Sequence, residues 1–124
     1  MMTVKVFVVD DLPQIRRELR TILPLAGNAA GLQIEVIGEA GDGHEAIQLV
    51  RQLHPEVVLM DLVMPGMDGF TATQIIKQEH PSIKVVVLTV LDKATAERKA
   101  RLMGADAFVE KGAQVAEIVR SIMK

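Results

Sequence analysis

Runs rich in Val and Ile, at Val4 to Val9, Ile34 to Ile37, Val57 to Met60, Val85 to Leu88 and Ala107 to Val109, constrain this chain more than any other feature. Each is short and, apart from Lys5 in the first and Glu35 in the second, apolar throughout, which suits strands buried on both faces, as in a parallel sheet. Between the runs the apolar period becomes helical. Pro13 suits a first helical turn, and Ile15, Leu19, Ile22 and Leu23 follow it at helical spacing. Further helices are expected at Gly43–Leu53, Gly69–Glu79 and Lys93–Met103, and Val115, Ile118, Val119 and Ile122 supply the apolar face of a closing one. This strand–helix alternation implies right-handed crossovers and an open, doubly wound α/β sheet with helices on both faces, a three-layer sandwich. The small, turn-prone segment Ala26-Gly27-Asn28-Ala29-Ala30-Gly31 reads as the one long surface loop.

With 124 residues and 49% apolar content, the chain has material for one core, a single domain over residues 1–124. Its formal charge of −2, from 14 basic and 16 acidic residues, includes no basic stripe of the kind that tracks a phosphate backbone, which argues against direct nucleic-acid binding. Cysteine is absent, no signal-peptide pattern precedes the first strand, and no apolar run approaches the ~20 residues that span a bilayer. A soluble, cytoplasmic protein is expected.

In doubly wound sheets, ligands bind beyond the carboxyl ends of the strands. The polar residues there are Asp10 and Asp11 after the first strand, Asp61 after the third, Thr89 after the fourth and Lys111 after the fifth. Carboxylates crowded on one rim repel, and at least one is pushed toward its neutral form unless a cation intervenes. Magnesium, which takes oxygen ligands and commonly one or two carboxylates plus a phosphate, would remove the conflict. Helix capping alone would explain a single aspartate here. Asp61 is more telling, because "VVLMDLVMPGMDGF" sets one carboxylate directly after a core strand and before a Pro65-Gly66 turn. Lys111 offers a point charge for a carboxylate or a phosphoryl oxygen.

The acidic pair, Asp61 followed by "MPGMDG", Thr89 after "VVVL" and Lys111 in "GADAFVEK" together resemble the receiver domain of bacterial two-component response regulators. The resemblance runs from the first strand to the last helix and implies a flavodoxin-like (βα)5 fold with strand order 2-1-3-4-5. It implies that Asp61 is the phosphoacceptor for a sensor histidine kinase or histidine phosphotransfer protein. Mg2+ would be held by Asp11, Asp61 and the backbone carbonyl of Val63, with Asp10 acting mainly through water. Lys111 and Thr89 would each grip a phosphoryl oxygen, and Phe108 would be the switch aromatic, so that phosphorylation repacks the helix 4–strand 5–helix 5 face. Such a chain is a phosphorelay signalling switch with self-phosphorylation and self-dephosphorylation chemistry rather than a metabolic enzyme, and that face is also where a homodimer would form. Read from residues alone, Phe108 is equally a core phenylalanine, Met60, Met64 and Met67 are packing, and His44, His54 and His80 are surface histidines that nothing pairs.

Gly112 stands where many receivers have a proline in a cis peptide, so a cis bond is not expected there. With "MPGMDG", this resembles the subgroup coupled to a helix-turn-helix output domain, and Lys111 is followed by room for one helix only; a fragment of a longer transcription regulator is expected over a stand-alone receiver acting through protein contacts. Val63, Val90 and Leu91 are apolar where polar residues could position a hydrolytic water, so slow loss of phosphate is expected. Two other classes remain open. A magnesium-dependent phosphohydrolase would want a second aspartate at the Val63 position, and a nucleotide-binding module or non-phosphorylated pseudo-receiver would lack the acceptor chemistry; no Gly-rich phosphate loop follows the first strand.

Overall fold

A computed structural model describes all residues from Met1 to Lys124. The elements follow in strict alternation: β1 (Met2–Val9), α1 (Pro13–Ala29), β2 (Leu32–Ala40), α2 (Gly43–Leu53), β3 (Val57–Met60), α3 (Gly69–Glu79), β4 (Lys84–Thr89), α4 (Lys93–Leu102), β5 (Ala107–Glu110) and α5 (Val115–Met123). All strand pairs are parallel, and the sheet order is β2-β1-β3-β4-β5, as the resemblance implies. No helix is long and apolar enough to cross a membrane.

Side chains alternate across each strand, and that period of two divides the core. Val6, Val8, Leu59, Val86, Leu88 and Val109 face Leu19 and Leu23 of α1 and Ile118, Val119 and Ile122 of α5. Phe7, Val9, Val58, Met60 and Val85 face the other way, onto Ala46, Ile47 and Val50 of α2 and Ala72 and Ile76 of α3. A smaller cluster of Leu62, Val87, Ala96, Ala100, Ala105 and Phe108 lies under α4. Aspartates punctuate the helix starts: Asp42, Asp68 and Asp92 accept hydrogen bonds from the N–H groups of Glu45, Thr71 and Thr95 at 2.8, 2.9 and 3.0 Å. Each such cap contributes about 1 kcal/mol.

Two local expectations are corrected. β2 is longer than Ile34 to Ile37, because its backbone pairs with β1 through the exposed or half-buried polar residues Gln33, Glu35 and Glu39, where side-chain hydropathy carries no signal. The Ala26–Gly31 loop does not form; α1 runs through Pro24 to Ala29, and only Ala30 and Gly31 turn the chain. Pro24, Gly27 and Asn28 are all poor interior helix formers, so local preference points to an earlier end. Packing overrides it: Leu19, Leu23 and Gly27 form a buried stripe at four-residue spacing against the sheet. A Cβ on Gly27 would lie 2.7 Å from the Leu32 carbonyl oxygen and 2.9 Å from the Ile34 side chain, so the missing side chain lets this turn settle on β2.

Gly27→Ala tests that account, since in an open loop or an ordinary helix the change would be neutral or stabilising. Here overpacking, typically about 1–3 kcal/mol, should outweigh the ~1 kcal/mol gain in helix propensity. A lower urea midpoint with unchanged slope is expected.

Candidate functional site

Backbone pairing continues one residue beyond the strand ends and thereby places the rim side chains. The Asp10 N–H bonds to the Ala40 carbonyl at 3.0 Å, the Asp61 N–H to the Val9 carbonyl at 3.0 Å, and the Lys111 N–H to the Thr89 carbonyl at 2.6 Å. Asp10, Asp61 and Lys111 therefore stand where the sheet sets them, side by side on one rim. The loop after Asp61 folds back so closely that a Cβ on Gly69 would come within 2.0 Å of the Asp61 carbonyl oxygen, so the first residue of α3 must be glycine.

Asp10, Asp11 and Asp61 come together as expected, with one oxygen from each carboxylate inside a group spanning no more than 4.8 Å. Asp10 and Asp61 are only 2% and 3% exposed, and Asp11 is half-buried. Lys111 Nζ pairs with Asp10 Oδ2 at 2.7 Å and with Asp61 Oδ2 at 3.4 Å. Asp10 Oδ1 accepts from the Leu12 N–H at 2.9 Å, and Asp61 Oδ1 from the Val63 N–H at 3.3 Å. Neither aspartate caps α1: Leu12 holds the capping position without a side-chain bond to the first turn, and Asp10 Oδ1 takes the N–H of Leu12 rather than one from the helix, so capping does not account for the pair.

Burial pushes the Asp61 carboxyl above the ordinary carboxylate range, and the charge of Asp10 adds to this, against the opposing pull of Lys111 and the Val63 N–H. For Lys111, burial works downward, but the hydrogen bond to Asp10 and the charges of Asp61 and Asp10 hold the ammonium above its usual value. One ammonium faces three carboxylates. The excess negative charge and the all-oxygen donor set fit a hard divalent cation. Asp11 has no hydrogen bond or ion pair within the chain, and the Val63 carbonyl accepts no backbone bond, so both keep lone pairs available.

Thr89 is fully buried at the end of β4, and its Oγ1 accepts from the Leu91 N–H at 3.3 Å. Phe108 is 4% exposed within the cluster under α4. Val63 and Val90 are exposed beside the rim, and Leu91 is half-buried. The chain has no cis peptide, and Gly112 takes a φ of +99°. Met60 and Met64 are core residues, and half-buried Met67 packs against the same cluster. The histidines are less separate than their spacing suggests: the His54 and His80 rings meet edge to face with centroids 6.3 Å apart. His54 terminates α2 and His80 terminates α3, at the ends of these helices remote from the carboxylate rim; His44 is exposed.

Sequence reasoning missed Arg16. Its Nη1 donates to the Asp10 carbonyl at 2.5 Å, and its Nε to Glu39 Oε1 at 2.8 Å, while Arg20 Nε donates to the other Glu39 oxygen at 3.0 Å. The Arg16 hydrogen bond holds the Glu39 carboxyl below its ordinary range despite partial burial, and Arg20 adds to the effect. The available signal was the placement of an arginine on the first helix soon after the acidic pair; Glu39 had none until β2 was known to lie beside β1.

A family model for the response regulator receiver domain matches residues 6–123. The response regulator GacA of Pseudomonas aeruginosa is 39% identical over 119 residues, which cover 96% of this chain and 53% of that protein. The chemotaxis protein CheY of Thermotoga maritima is 32% identical over 120 residues, 97% of this chain and 95% of its own length. A LuxR-family two-component response regulator from Aurantimonas sp. SI85-9A1 superposes with a TM-score of 0.88 at 31% identity, covering 98% of this chain and 83% of that one. The chain spans about half the length of the GacA relatives it matches.

The raised Asp61 carboxyl has a stability consequence with a definite sign. An acid whose folded pKa is raised binds more protons in the folded state, so stability falls as pH rises from its ordinary value of 3.8 through the raised one. Without divalent cations, Asp61→Asn should therefore melt above the unmodified protein at neutral pH. That advantage should vanish once the pH drops below 3.8, as read by thermal melts in chelator across a pH series.

Proposed function

The chain belongs to the response regulator receiver domain family, and on that premise we propose that Asp61 is its phosphoacceptor. The donor is the phosphohistidine of a sensor histidine kinase or a histidine phosphotransfer protein. The observation carrying this reading is the acidic cup of Asp10, Asp11 and Asp61 with Lys111 reaching into it. In the transfer, an Asp61 oxygen forms the new P–O bond while the P–N bond to histidine breaks and the imidazole nitrogen keeps the electron pair. A Mg2+ ion held by Asp11, Asp61 and the Val63 carbonyl, with Asp10 engaged through water, would neutralise charge on the carboxylates and the phosphoryl oxygens.

The chain's own residues do the rest. Ionised Asp61 is the nucleophile, Lys111 exchanges its carboxylate partners for a phosphoryl oxygen, and the Thr89 hydroxyl leaves the Leu91 N–H to donate to another. Movement of Thr89 opens volume beside the cluster under α4, into which Phe108 repacks, shifting the population of the α4–β5–α5 face. That face then engages an output domain, a partner, or a second copy of the chain. The chain spans only about half of the GacA relative, and among its matches are the transcriptional regulatory protein LiaR of Bacillus subtilis and a DNA-binding response regulator of Staphylococcus aureus; these support an output of transcription through a DNA-binding domain outside these residues, with the receiver itself not touching DNA. The setting is cytoplasmic.

Treatment with acetyl phosphate and Mg2+ should raise the intact mass by one phosphoryl group, and Asp61→Asn should abolish the addition; steady release of phosphate would identify a hydrolase instead. The exposed apolar side chain of Val63, 49% accessible, gives no polar group to orient an attacking water. The acyl phosphate should accordingly persist well beyond seconds, and Val63→Asn should shorten its lifetime in a time course of the phosphorylated mass.

A further inference from the structure

We infer that Arg16 is a positioning residue for the cation-binding cup, setting the orientation of the peptide that joins Asp10 to Asp11. The inference rests on the magnesium-dependent reading above. Asp11 has no hydrogen-bond partner in the chain, so its carboxylate points wherever the backbone directs it. That backbone is held from two sides. The Leu12 N–H bonds back to Asp10 Oδ1 at 2.9 Å, and Arg16 Nη1 takes the Asp10 carbonyl at 2.5 Å.

Arg16 is itself clamped. Its side chain is 17% exposed, and Nε is paired at 2.8 Å with Glu39, near the end of β2. Arg20 takes the second Glu39 oxygen at 3.0 Å and the Val36 carbonyl at 3.3 Å. Gly41 leaves room for the guanidinium, since a Cβ there would lie 3.3 Å from Arg16 Nη1. One planar fork thus ties the end of β1 to the end of β2, a geometry that a single ammonium cannot reproduce. Groups that orient metal ligands without touching the ion commonly change affinity tenfold or more when removed.

Charge alone predicts the opposite of positioning, which makes the test decisive. Removing a cation near an acidic cup should tighten binding of another cation, whereas loss of a positioning group should weaken it. The Mg2+ dissociation constant of the full chain is measured by amide chemical-shift titration at fixed ionic strength, beside urea melts that confirm the variants are folded. For Arg16→Gln, weakening of about tenfold is expected. Arg16→Lys keeps the charge and guards against misfolding of the first variant; it too should bind more weakly. Arg17→Gln, at an exposed position outside the network, makes the same charge change and should show no weakening. Unchanged or tighter binding in both Arg16 variants would overturn the inference. Failure of the unmodified protein to bind Mg2+ would overturn the reading on which it rests.

Discussion

Mutual repulsion among Asp10, Asp11 and Asp61 is the constraint around which the molecule is arranged. In water three such carboxylates would separate; here the parallel ladder prevents it, because Asp10 and Asp61 donate their own N–H groups to neighbouring strands. Lys111 offsets part of the repulsion from inside the cup, but a buried ion pair gains little net stability once desolvation is counted. The core, built on strands apolar on both faces, keeps the conflict in place. The cup is thus left electrostatically unsatisfied by the chain alone, the condition that a hard divalent cation would relieve.

The conflict is linked to the rest of the fold by short routes. From Asp61, the loop returning to Gly69 sets the start of α3 against the Asp61 carbonyl. Thr89 joins the rim to the Leu91 backbone, and the buried ring of Phe108 sits in the same small cluster as Ala96 and Ala100 of α4. That cluster is the smallest part of the core, six buried residues of which three are alanine, against 14 and 13 in the other two layers. Fewer methylenes are packed there, so disturbing it forfeits less stability than disturbing either larger layer.

Much of this was legible in the residues. The five apolar runs located every strand, because burial on both faces leaves few polar positions in the pattern. The rim carboxylates, Thr89 and Lys111 were legible because a strand end in a doubly wound sheet is a defined place. Legibility failed where backbone or packing decided matters without a hydropathy trace. β2 extends through Gln33, Glu35 and Glu39 because ladder bonds do not depend on side-chain polarity. α1 continues past Pro24 because a buried stripe ending at Gly27 outweighs poor local propensity. His54 and His80 meet because two helices end side by side, which their separation in the chain conceals.

By itself the sequence determined the layer architecture, the family resemblance and the identity of the residues at the carboxyl ends of the strands, since hydrophobic period and turn chemistry are local. Only the tertiary structure decided that Asp11 is left without a partner while Asp10 is taken by Lys111 at 2.7 Å, and that Arg16 and Glu39 bind the end of β1 to the end of β2. These are matters of distance between segments remote in sequence. A charge acquires its partner, and a carboxyl its shifted proton affinity, only when the sheet has brought them together and excluded the water that would otherwise screen them.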